Sequence, residues 1–397
     1  MNLLFINMTP IYHNTSALIR MCGFISGANK LGNKCDLLTL NVETDDYSYD
    51  ATNEDFVRQY VNQYFTFERS GTYNRLKQSK AGAKKKNICR TLLKKIYRLL
   101  NIYDVQVINI SGIRKVKLDY DRYDRIISIS DPKSSHKLIL ELIKDGKIRN
   151  IEDKWIQCWG DPWFKDSGNT FPLLRRRVFK EEEYYLSMAK KVVYTSPFTW
   201  EEQKKLFPAY ADKMTWVNQS VKAKVTNQKS KKKSMEKDIV IGYFGNYVSR
   251  SRNIWPLYEA CNRWNHRLKI VGGSDIFLKS TDNVKVVDMQ PLAIATEMEE
   301  SMDILVCICN RKGSQIPGKI YYSAEYQKPI ILAVDGEKKD AMRSYFENFH
   351  RYIICDNKAD SIEYAIRKAK DEIRNGKTYQ LGERFTDVYT AKVLLED

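Results

Sequence analysis

The sequence has no long apolar segment, few histidines and no regular cysteine pattern. No apolar run approaches the roughly 20 residues that a membrane-spanning helix needs. The run 3–6 is too short for a signal peptide and has no basic flank before it. The eight cysteines are scattered through apolar stretches, and Cys307 and Cys309 lack the spacing of a metal or redox pair. These absences predict a cytoplasmic protein with reduced cysteines and no metal centre.

Positive charge is in excess, with 66 lysines and arginines against 49 aspartates and glutamates and a net charge of +17. Such an excess predicts an anionic partner, which could be a membrane surface, a nucleic acid or a phosphorylated ligand. The segment 84–100 has the pattern of a basic amphipathic helix, with Ile88, Leu92 and Ile96 on one face. Its basic residues are predicted to face an anionic membrane: Lys85, Lys86, Arg90, Lys94 and Arg98. A core-packed helix with a solvated basic face fits the pattern equally well.

Apolar runs alternate with helical patterns along the chain, which predicts two α/β domains. The lysine-rich stretch 225–237 has no apolar periodicity and is the best boundary. We therefore predict a first domain over 1–222, a linker over 223–237 and a second domain over 238–379. The C-terminal segment 380–397 can pack back on the first domain.

The segment 303–335 has the pattern of a strand, a polar loop, a helix and a second strand. Pro317 suits the first turn of the helix, and Pro329 ends it. In a parallel sheet this loop lies at the carboxyl edge, where α/β proteins bind ligands. Together with Lys312 and Lys319, the helix start is predicted to form an anion cradle.

Two loops of the first domain contain further candidates. The loop after the first strand includes His13, Asn14 and Thr15, which could approach a ligand, although helix capping by Thr15 is an equal alternative. A second loop places Asp161 between Trp159 and Trp163. A carboxylate flanked by tryptophans suits sugar binding, because aromatic rings stack on sugars and carboxylates accept from hydroxyls. The alternative is a turn with core tryptophans.

Two other features carry less weight. The Asp119-Tyr120-Asp121 segment matches the Asp-x-Asp spacing of metal-dependent sugar transferases, but it precedes a strand instead of following one. The lone His136 near the start of a helix is expected to be a surface or capping residue.

Four segments, taken in order, resemble motifs of one family. They are Leu-Gly-Asn-Lys-Cys-Asp-Leu-Leu-Thr at 31–39, the helix and strand at 183–196, Ile-Gly-Tyr-Phe-Gly at 241–245, and Pro-Gly-Lys-Ile-Tyr-Tyr at 317–322 with Lys-Pro-Ile-Ile at 328–331. Their order and spacing resemble the retaining glycosyltransferases of family four. The resemblance implies an α/β protein of the GT-B fold, with two facing Rossmann-like domains, parallel sheets and an interdomain cleft.

The resemblance also implies a function. Such enzymes move a sugar from a nucleotide-diphosphate donor to an acceptor, with retention and without a metal or other cofactor. The donor phosphate assists deprotonation of the acceptor, so no paired carboxylates are needed. We expect a glycan or lipid-linked acceptor, a role in cell-surface polysaccharide synthesis, and a peripheral position at the inner face of the cell membrane.

The predicted site residues fall into three groups. The catalytic residues are Asp161 and His13. The acceptor side comprises Asn14, Thr15, Trp159 and Trp163. The donor-binding residues lie in loops of the second domain and in the helix that begins near Pro317: Asn246, Arg250, Arg252, Gly273, Ser314, Gln315, Ile316, Pro317, Gly318, Lys319 and Tyr322.

The sequence departs from the family at two donor positions. The family commonly has two glutamates eight residues apart where this chain has Ser314 and Tyr322. One alternative is therefore a GT-B protein that is not a transferase, either a nucleotide-sugar epimerase or an inactive binding subunit. An epimerase should bring carboxylates and histidines together, and this chain has only four histidines. A nucleic-acid binder is a further alternative, but the basic-aromatic strands of such folds are missing.

Overall fold

The computed structural model describes residues 1–13, 15–42, 49, 52–71, 101–166, 173–221 and 239–396. Three sequence predictions lie outside these residues: the basic segment 84–100, the linker 223–237 and Asn14. Lys85, Lys86, Arg90, Lys94 and Arg98 belong to the first of them. Among the helices that the structure describes, none is both long and apolar enough to cross a membrane.

The chain divides into two compact units. The first comprises Met1–Asn218, Lys222–Val225 and Asp387–Asp397, and the second comprises Gln219–Val221 and Thr226–Thr386. Each unit contains one parallel sheet. The first unit is discontinuous in sequence, because its last segment, Asp387–Asp397, follows the second unit in the chain.

The first unit contains a seven-stranded sheet with the order β3-β2-β1-β4-β5-β6-β7. Its strands are β1 (Asn2–Asn7), β2 (Lys34–Leu40), β3 (Gln63–Phe67), β4 (Arg125–Ile129), β5 (Trp155–Trp159), β6 (Lys191–Tyr194) and β7 (Met214–Trp216). Its helices are α1 (Ser16–Lys30), α2 (Thr52–Tyr60), α3 (Ser134–Lys144), α4 (Arg175–Met188), α5 (Pro197–Leu206) and the C-terminal helix (Asp387–Leu395).

Strand β1 is buried on both faces. Leu4 and Ile6 belong to one apolar cluster, and Leu3 and Phe5 belong to another. This arrangement explains the continuous apolar run in the sequence, because helices cover both faces of a parallel sheet.

The C-terminal helix packs against α1 with a very close backbone approach. A Cβ atom at Gly27 would lie 2.0 Å from the main-chain oxygen of Asp387. The Asp387 carboxylate accepts hydrogen bonds from Ser26 Oγ and Lys30 Nζ, both at 2.6 Å. Only glycine permits this approach, so Gly27 determines where the C-terminal helix lies on the first unit.

The second unit contains a six-stranded sheet with the order β10-β9-β8-β11-β12-β13. The strands are β8 (Val240–Phe244), β9 (Arg267–Val271), β10 (Val284–Val287), β11 (Ile304–Ile308), β12 (Ile330–Val334) and β13 (Ile353–Asp356). The helices are α6 (Trp255–Arg263), α7 (Leu292–Ser301), α8 (Gly318–Tyr322), α9 (Lys339–Glu347) and α10 (Ala359–Arg374).

The prediction for 303–335 is confirmed for its two strands, which are β11 and β12. The helix between them is shorter than predicted, because α8 ends at Tyr322 and a 3-10 turn, Ser323–Glu325, follows. The sequence pattern of 105–110 also predicts a strand, and that prediction is wrong. That segment begins a 3-10 helix, Val105–Lys115, in which the Asp104 side chain caps the N-terminus through Gln106 N at 3.0 Å.

Candidate functional site

Five residues at the carboxyl edge of the second sheet form a connected group. We call it the loop cluster: Asn246, Arg252, Gly273, Asn310 and Gln315. Arg252 Nη1 donates to Asn246 O at 2.7 Å, and Arg252 Nε donates to Asn310 Oδ1 at 3.3 Å. Gly273 N donates to Asn246 Oδ1 at 3.0 Å, and Asn310 Nδ2 donates to Gln315 O at 3.1 Å. The loops after β8, β9 and β11 are therefore joined around one arginine.

Glycine allows two of these loops to touch. A Cβ atom at Gly272 would lie 2.0 Å from Gly245 O, a distance at which the main chain would have to move. Because neither glycine has a Cβ atom, the two loops approach each other closely at this point, beside the side chains of Asn246 and Arg252. The contact lies at the carboxyl edge of the sheet, where α/β proteins bind ligands.

The other predicted donor-site cations have acidic neighbours. Arg250 is exposed and lies near Asp275. Hydrogen bonds from Ser249 N and Oγ lower the pKa of that carboxyl. Lys319 forms an ion pair with Glu299, a buried carboxylate that also accepts from Tyr326 OH at 3.0 Å. The predicted anion cradle therefore needs correction, because Glu299 offsets the charge of Lys319.

The segment before α8 is packed inward. Ser314, Gln315, Ile316, Pro317 and Tyr322 are buried, and Tyr322 OH donates to Gln219. A Cβ atom at Gly318 would lie 2.7 Å from Gln219 Oε1, so this position is also closely packed. Because the side chains of Ser314, Ile316 and Tyr322 are buried, only backbone groups of this segment are available to a donor, and its donor-binding role stays a prediction.

A second group of charged residues lies at the carboxyl edge of the first sheet. We call it the charged cluster: Arg20, Asp131, Lys133, Asp161 and Asp166. Lys133 Nζ donates to Asp131 Oδ1 and to Asp161 O, both at 2.7 Å. Arg20 donates to Ser130 O and packs against Gly160, where a Cβ atom would lie 2.6 Å from its Nη2. Residues from α1 and from the loops after β4 and β5 thus surround Asp161.

The environment of Asp161 in the charged cluster strongly raises the pKa of its carboxyl group. Burial, together with the negative charges of Asp131 and Asp166, raises the pKa of Asp161 to about 7, although Lys133 and Arg20 oppose the shift. A carboxyl that titrates near neutrality at a sheet edge is a candidate for a functional role. The predicted role of Asp161 is therefore chemically reasonable, and it stays a prediction.

Asp161→Asn should change how the stability of the protein depends on pH. Because the pKa of Asp161 is raised from 3.8 to about 7, the folded state binds more protons than the unfolded state between these values. The free energy of unfolding of wild type therefore decreases as pH rises through that window, because the buried Asp161 carboxyl must ionise. Asparagine does not titrate, so the variant lacks this decrease. We expect the melting temperature of Asp161→Asn, relative to wild type, to increase from pH 5 to pH 8. The exposed Asp153→Asn is the control, and parallel curves for Asp161→Asn and wild type would contradict the assigned cause.

The two tryptophans beside Asp161 belong to the core. Trp159 is 0% exposed and Trp163 is 1% exposed, so the prediction that they stack on a sugar is wrong. Buried Glu182 on α4 accepts hydrogen bonds from Trp163 N at 3.2 Å and Phe164 N at 2.7 Å. These two hydrogen bonds hold the main chain that directly follows the Gly-Asp-Pro turn at 160–162.

His136 is also a core residue. Its ring centroid lies 4.4 Å from that of Trp159, and its Nδ1 lies 2.7 Å from Ser128 Oγ. Burial, followed by the charge of Lys133, lowers the pKa of His136 well below its usual value. The expected surface or capping role is wrong, since His136 is a neutral histidine packed between β4 and the aromatic core.

The loop after β1 is a turn followed by a helix cap. His13 N donates to Pro10 O at 3.0 Å, and the His13 side chain is half-buried. Thr15 Oγ1 accepts from Leu18 N at 3.3 Å, which makes Thr15 the N-cap of α1. The capping alternative for Thr15 is confirmed, and its acceptor-side role stays a prediction. Asn14 lies outside the described residues.

Within the part of the chain that the structure describes, no group of three or more His, Cys, Asp or Glu residues is arranged to hold a metal ion. The Asp119–Asp121 segment forms a turn in which Asp121 N donates to Asp119 Oδ1 at 3.0 Å, and Asp121 pairs with Lys154 at 3.5 Å. These two aspartates have roles in local structure.

Comparison with known proteins gives a likeness of structure without a likeness of sequence. No protein-family model matches the chain, and no curated protein matches it by sequence. A glycosyltransferase from Rickettsia africae is similar in structure, with a TM-score of 0.55 and 14% identity over 99% of this chain and 95% of that chain. The chain has the GT-B fold.

A second solved structure is equally similar. The sucrose-phosphate synthase from Thermosynechococcus elongatus has a TM-score of 0.55 and 12% identity, over 100% of this chain and 95% of that chain. At these identities the likeness concerns the fold alone. The fold class predicted from the sequence, two Rossmann-like domains with parallel sheets, is confirmed.

Proposed function

We propose that this GT-B protein is a glycosyltransferase that moves a sugar from a nucleotide-diphosphate donor to a glycan or lipid-linked acceptor. The observation that carries the proposal is the loop cluster, in which Arg252 is fixed between the loops after β8 and β11. The planar arginine fork matches the oxygens of phosphate groups and loses little entropy when it is already held in place. A diphosphate bound at this edge would satisfy the remaining positive charge.

The donor is proposed to bind the second unit through Arg252, Asn246 and the backbone near Gly273. Arg250 lies in the same loop as Arg252 and adds exposed positive charge. This chain has Ser314 and Tyr322 where the family commonly has two glutamates, and both side chains are buried. The donor sugar would therefore be recognised by other groups. This difference supports a donor site that depends on arginine and backbone groups.

The acceptor is proposed to bind near Asp161 of the first unit. Its carboxyl oxygens can accept hydrogen bonds from sugar hydroxyls, and its pKa of about 7 allows it to be ionised near neutral pH. Reaction with retention, assisted by the donor phosphate and without a metal, requires no second carboxylate. The net charge of +17 and the basic segment 84–100 favour an anionic membrane surface as a partner. We propose that the reaction takes place at the inner face of that membrane, in cell-surface polysaccharide synthesis.

A panel of nucleotide sugars tests the proposed function. We expect at least one donor to raise the melting temperature and to be hydrolysed slowly without acceptor, with equal rates in the presence and absence of EDTA. The released anomer, followed by NMR, would report retention. If no nucleotide sugar is hydrolysed, transferred or bound, the protein is not a glycosyltransferase. Interconversion of two nucleotide sugars without transfer would identify an epimerase instead.

A further inference from the structure

Two cations are buried in the charged cluster. Lys133 and Arg20 are each 4% exposed. Burying an ammonium group costs several kcal/mol, and buried ion pairs can often be replaced by apolar side chains of similar volume without loss of stability. A buried ion pair is therefore weak evidence that Lys133 serves stability, and its contacts are the better guide to its role.

Lys133 connects two loops at the sheet edge. Its ammonium group lies 2.7 Å from Asp131 Oδ1 and 2.7 Å from the main-chain oxygen of Asp161. The same group lies 5.3 Å from the centre of the Trp159 ring, which forms the floor beneath it. The main chain of Asp161 is thus tied directly to the loop after β4.

The neighbouring residue, Gly160, is held from two other directions. Arg20 of α1 packs against its Cα, and Thr195 Oγ1 at the end of β6 donates to Gly160 O at 3.0 Å. Three separate elements therefore fix the Gly160–Asp161 turn. Such support is typical of a site in which one side chain must be accurately placed.

We propose that Lys133 is a positioning residue, which fixes the Asp161 turn and keeps the Asp161 carboxylate ready to accept a hydrogen bond from a sugar hydroxyl. The inference rests on the proposed glycosyl transfer, because that reaction supplies the hydroxyl. Lys133 itself contacts Asp131 and Asp161 and need not touch the substrate.

The charges around Asp161 determine what Lys133 contributes. Asp131 and Asp166 disfavour ionisation of Asp161, whereas Lys133 and Arg20 favour it. Removing Lys133 leaves one cation against two neighbouring carboxylates. Since an opposite charge at short range lowers a carboxyl pKa by about 1–3 units, its loss should shift Asp161 ionisation to higher pH.

The test is the pH profile of sugar transfer by Lys133→Met, measured from about pH 5 to pH 9. We expect wild-type kcat to rise with a midpoint near the Asp161 pKa of about 7. In Lys133→Met the midpoint should move up by about one unit or more, with kcat reduced about tenfold and the donor KM unchanged. Lys133→Arg, which keeps the charge, should retain the wild-type midpoint. An unshifted midpoint in Lys133→Met would overturn the inference.

Lys213→Met is the matched control. Lys213 Nζ donates to Ser187 O at 3.0 Å and lies 6.0 Å from the centre of the Tyr210 ring, without a carboxylate partner in these contacts. Its profile should coincide with that of wild type. If Lys133→Met does not fold, Lys133→Gln replaces it with the same expected shift.

A direct titration separates this inference from the proposed function. In protein labelled with ¹³C at aspartate carboxyls, the Asp161 signal is the one that is lost in Asp161→Asn. If wild type transfers no sugar, the proposed function fails, and the NMR titration still measures whether Lys133 controls Asp161. If Asp161 has the same titration midpoint in wild type and Lys133→Met, the inference that Lys133 affects Asp161 is overturned.

Discussion

Arg252→Ala should weaken binding of the nucleotide-sugar donor by about 10- to 100-fold. Loss of a hydrogen bond to a charged group costs about 1.5–3 kcal/mol, and each 1.4 kcal/mol is a tenfold change in affinity. Arg252 is half-buried and is held by Asn246 O and Asn310 Oδ1. The measurement is the dissociation constant of the donor by isothermal titration calorimetry. A matching loss for the nucleoside diphosphate alone would locate the effect at the phosphates.

Two further variants sharpen this result. Arg252→Lys keeps the charge but not the planar fork, and should recover only part of the affinity. Arg263→Ala removes an arginine of the same unit that pairs weakly with Asp360 at 3.6 Å, and should bind the donor like wild type. If Arg252→Ala keeps full donor affinity, the diphosphate site lies elsewhere.

Gly27→Ala should displace the C-terminal helix from α1. The added Cβ would lie 2.0 Å from Asp387 O and 2.8 Å from Ala391 Cβ, and main-chain atoms cannot rotate away. Overpacking of this kind costs about 1–3 kcal/mol, and the contacts of Asp387 with Ser26 and Lys30 should weaken with it. We expect a lower melting temperature and faster cleavage of the C-terminal segment by a protease.

Gly382→Ala makes the same substitution shortly before the C-terminal helix and serves as the control. Its Cβ would lie 3.6 Å from Phe385 Cδ2, which is an ordinary contact. Its melting temperature should stay close to that of wild type. Equal protease resistance of Gly27→Ala and Gly382→Ala would mean that α1 and the C-terminal helix can separate without cost.

The parts of the fold that could be predicted are those with local signals. Strands such as β1, β11 and β12 are continuous apolar runs. Thr15 is a residue type that commonly caps helices, and it precedes a helical pattern. Strand β3 was missed because it lies inside a polar, tyrosine-rich stretch and is only partly buried. Short β7, with three residues, offers too little pattern to detect.

The candidate sites were only partly predictable for a different reason. Asn246 and Gly273 were found because they lie within two residues of a strand end, and Arg252 because it is a basic residue in the loop after β8. Asn310 was missed, although the first polar residue after β11 occupies a comparable position. Lys319 and Glu299 are 20 positions apart in sequence and lie in different elements. Glu182 and Trp163 are 19 positions apart. Such contacts depend on tertiary packing, so the tryptophans looked like ligand contacts in the sequence.

The discontinuity of the first unit has a consequence for synthesis on the ribosome. Ser26 and its partner Asp387 are 361 residues apart in sequence. At about 5–20 residues per second, on the order of 20–70 s separates the appearance of α1 from that of the helix that covers it. During that interval the Gly27 surface of α1 is uncovered while the whole second unit is made. Chaperones that bind nascent apolar surfaces would therefore have their longest opportunity at this helix.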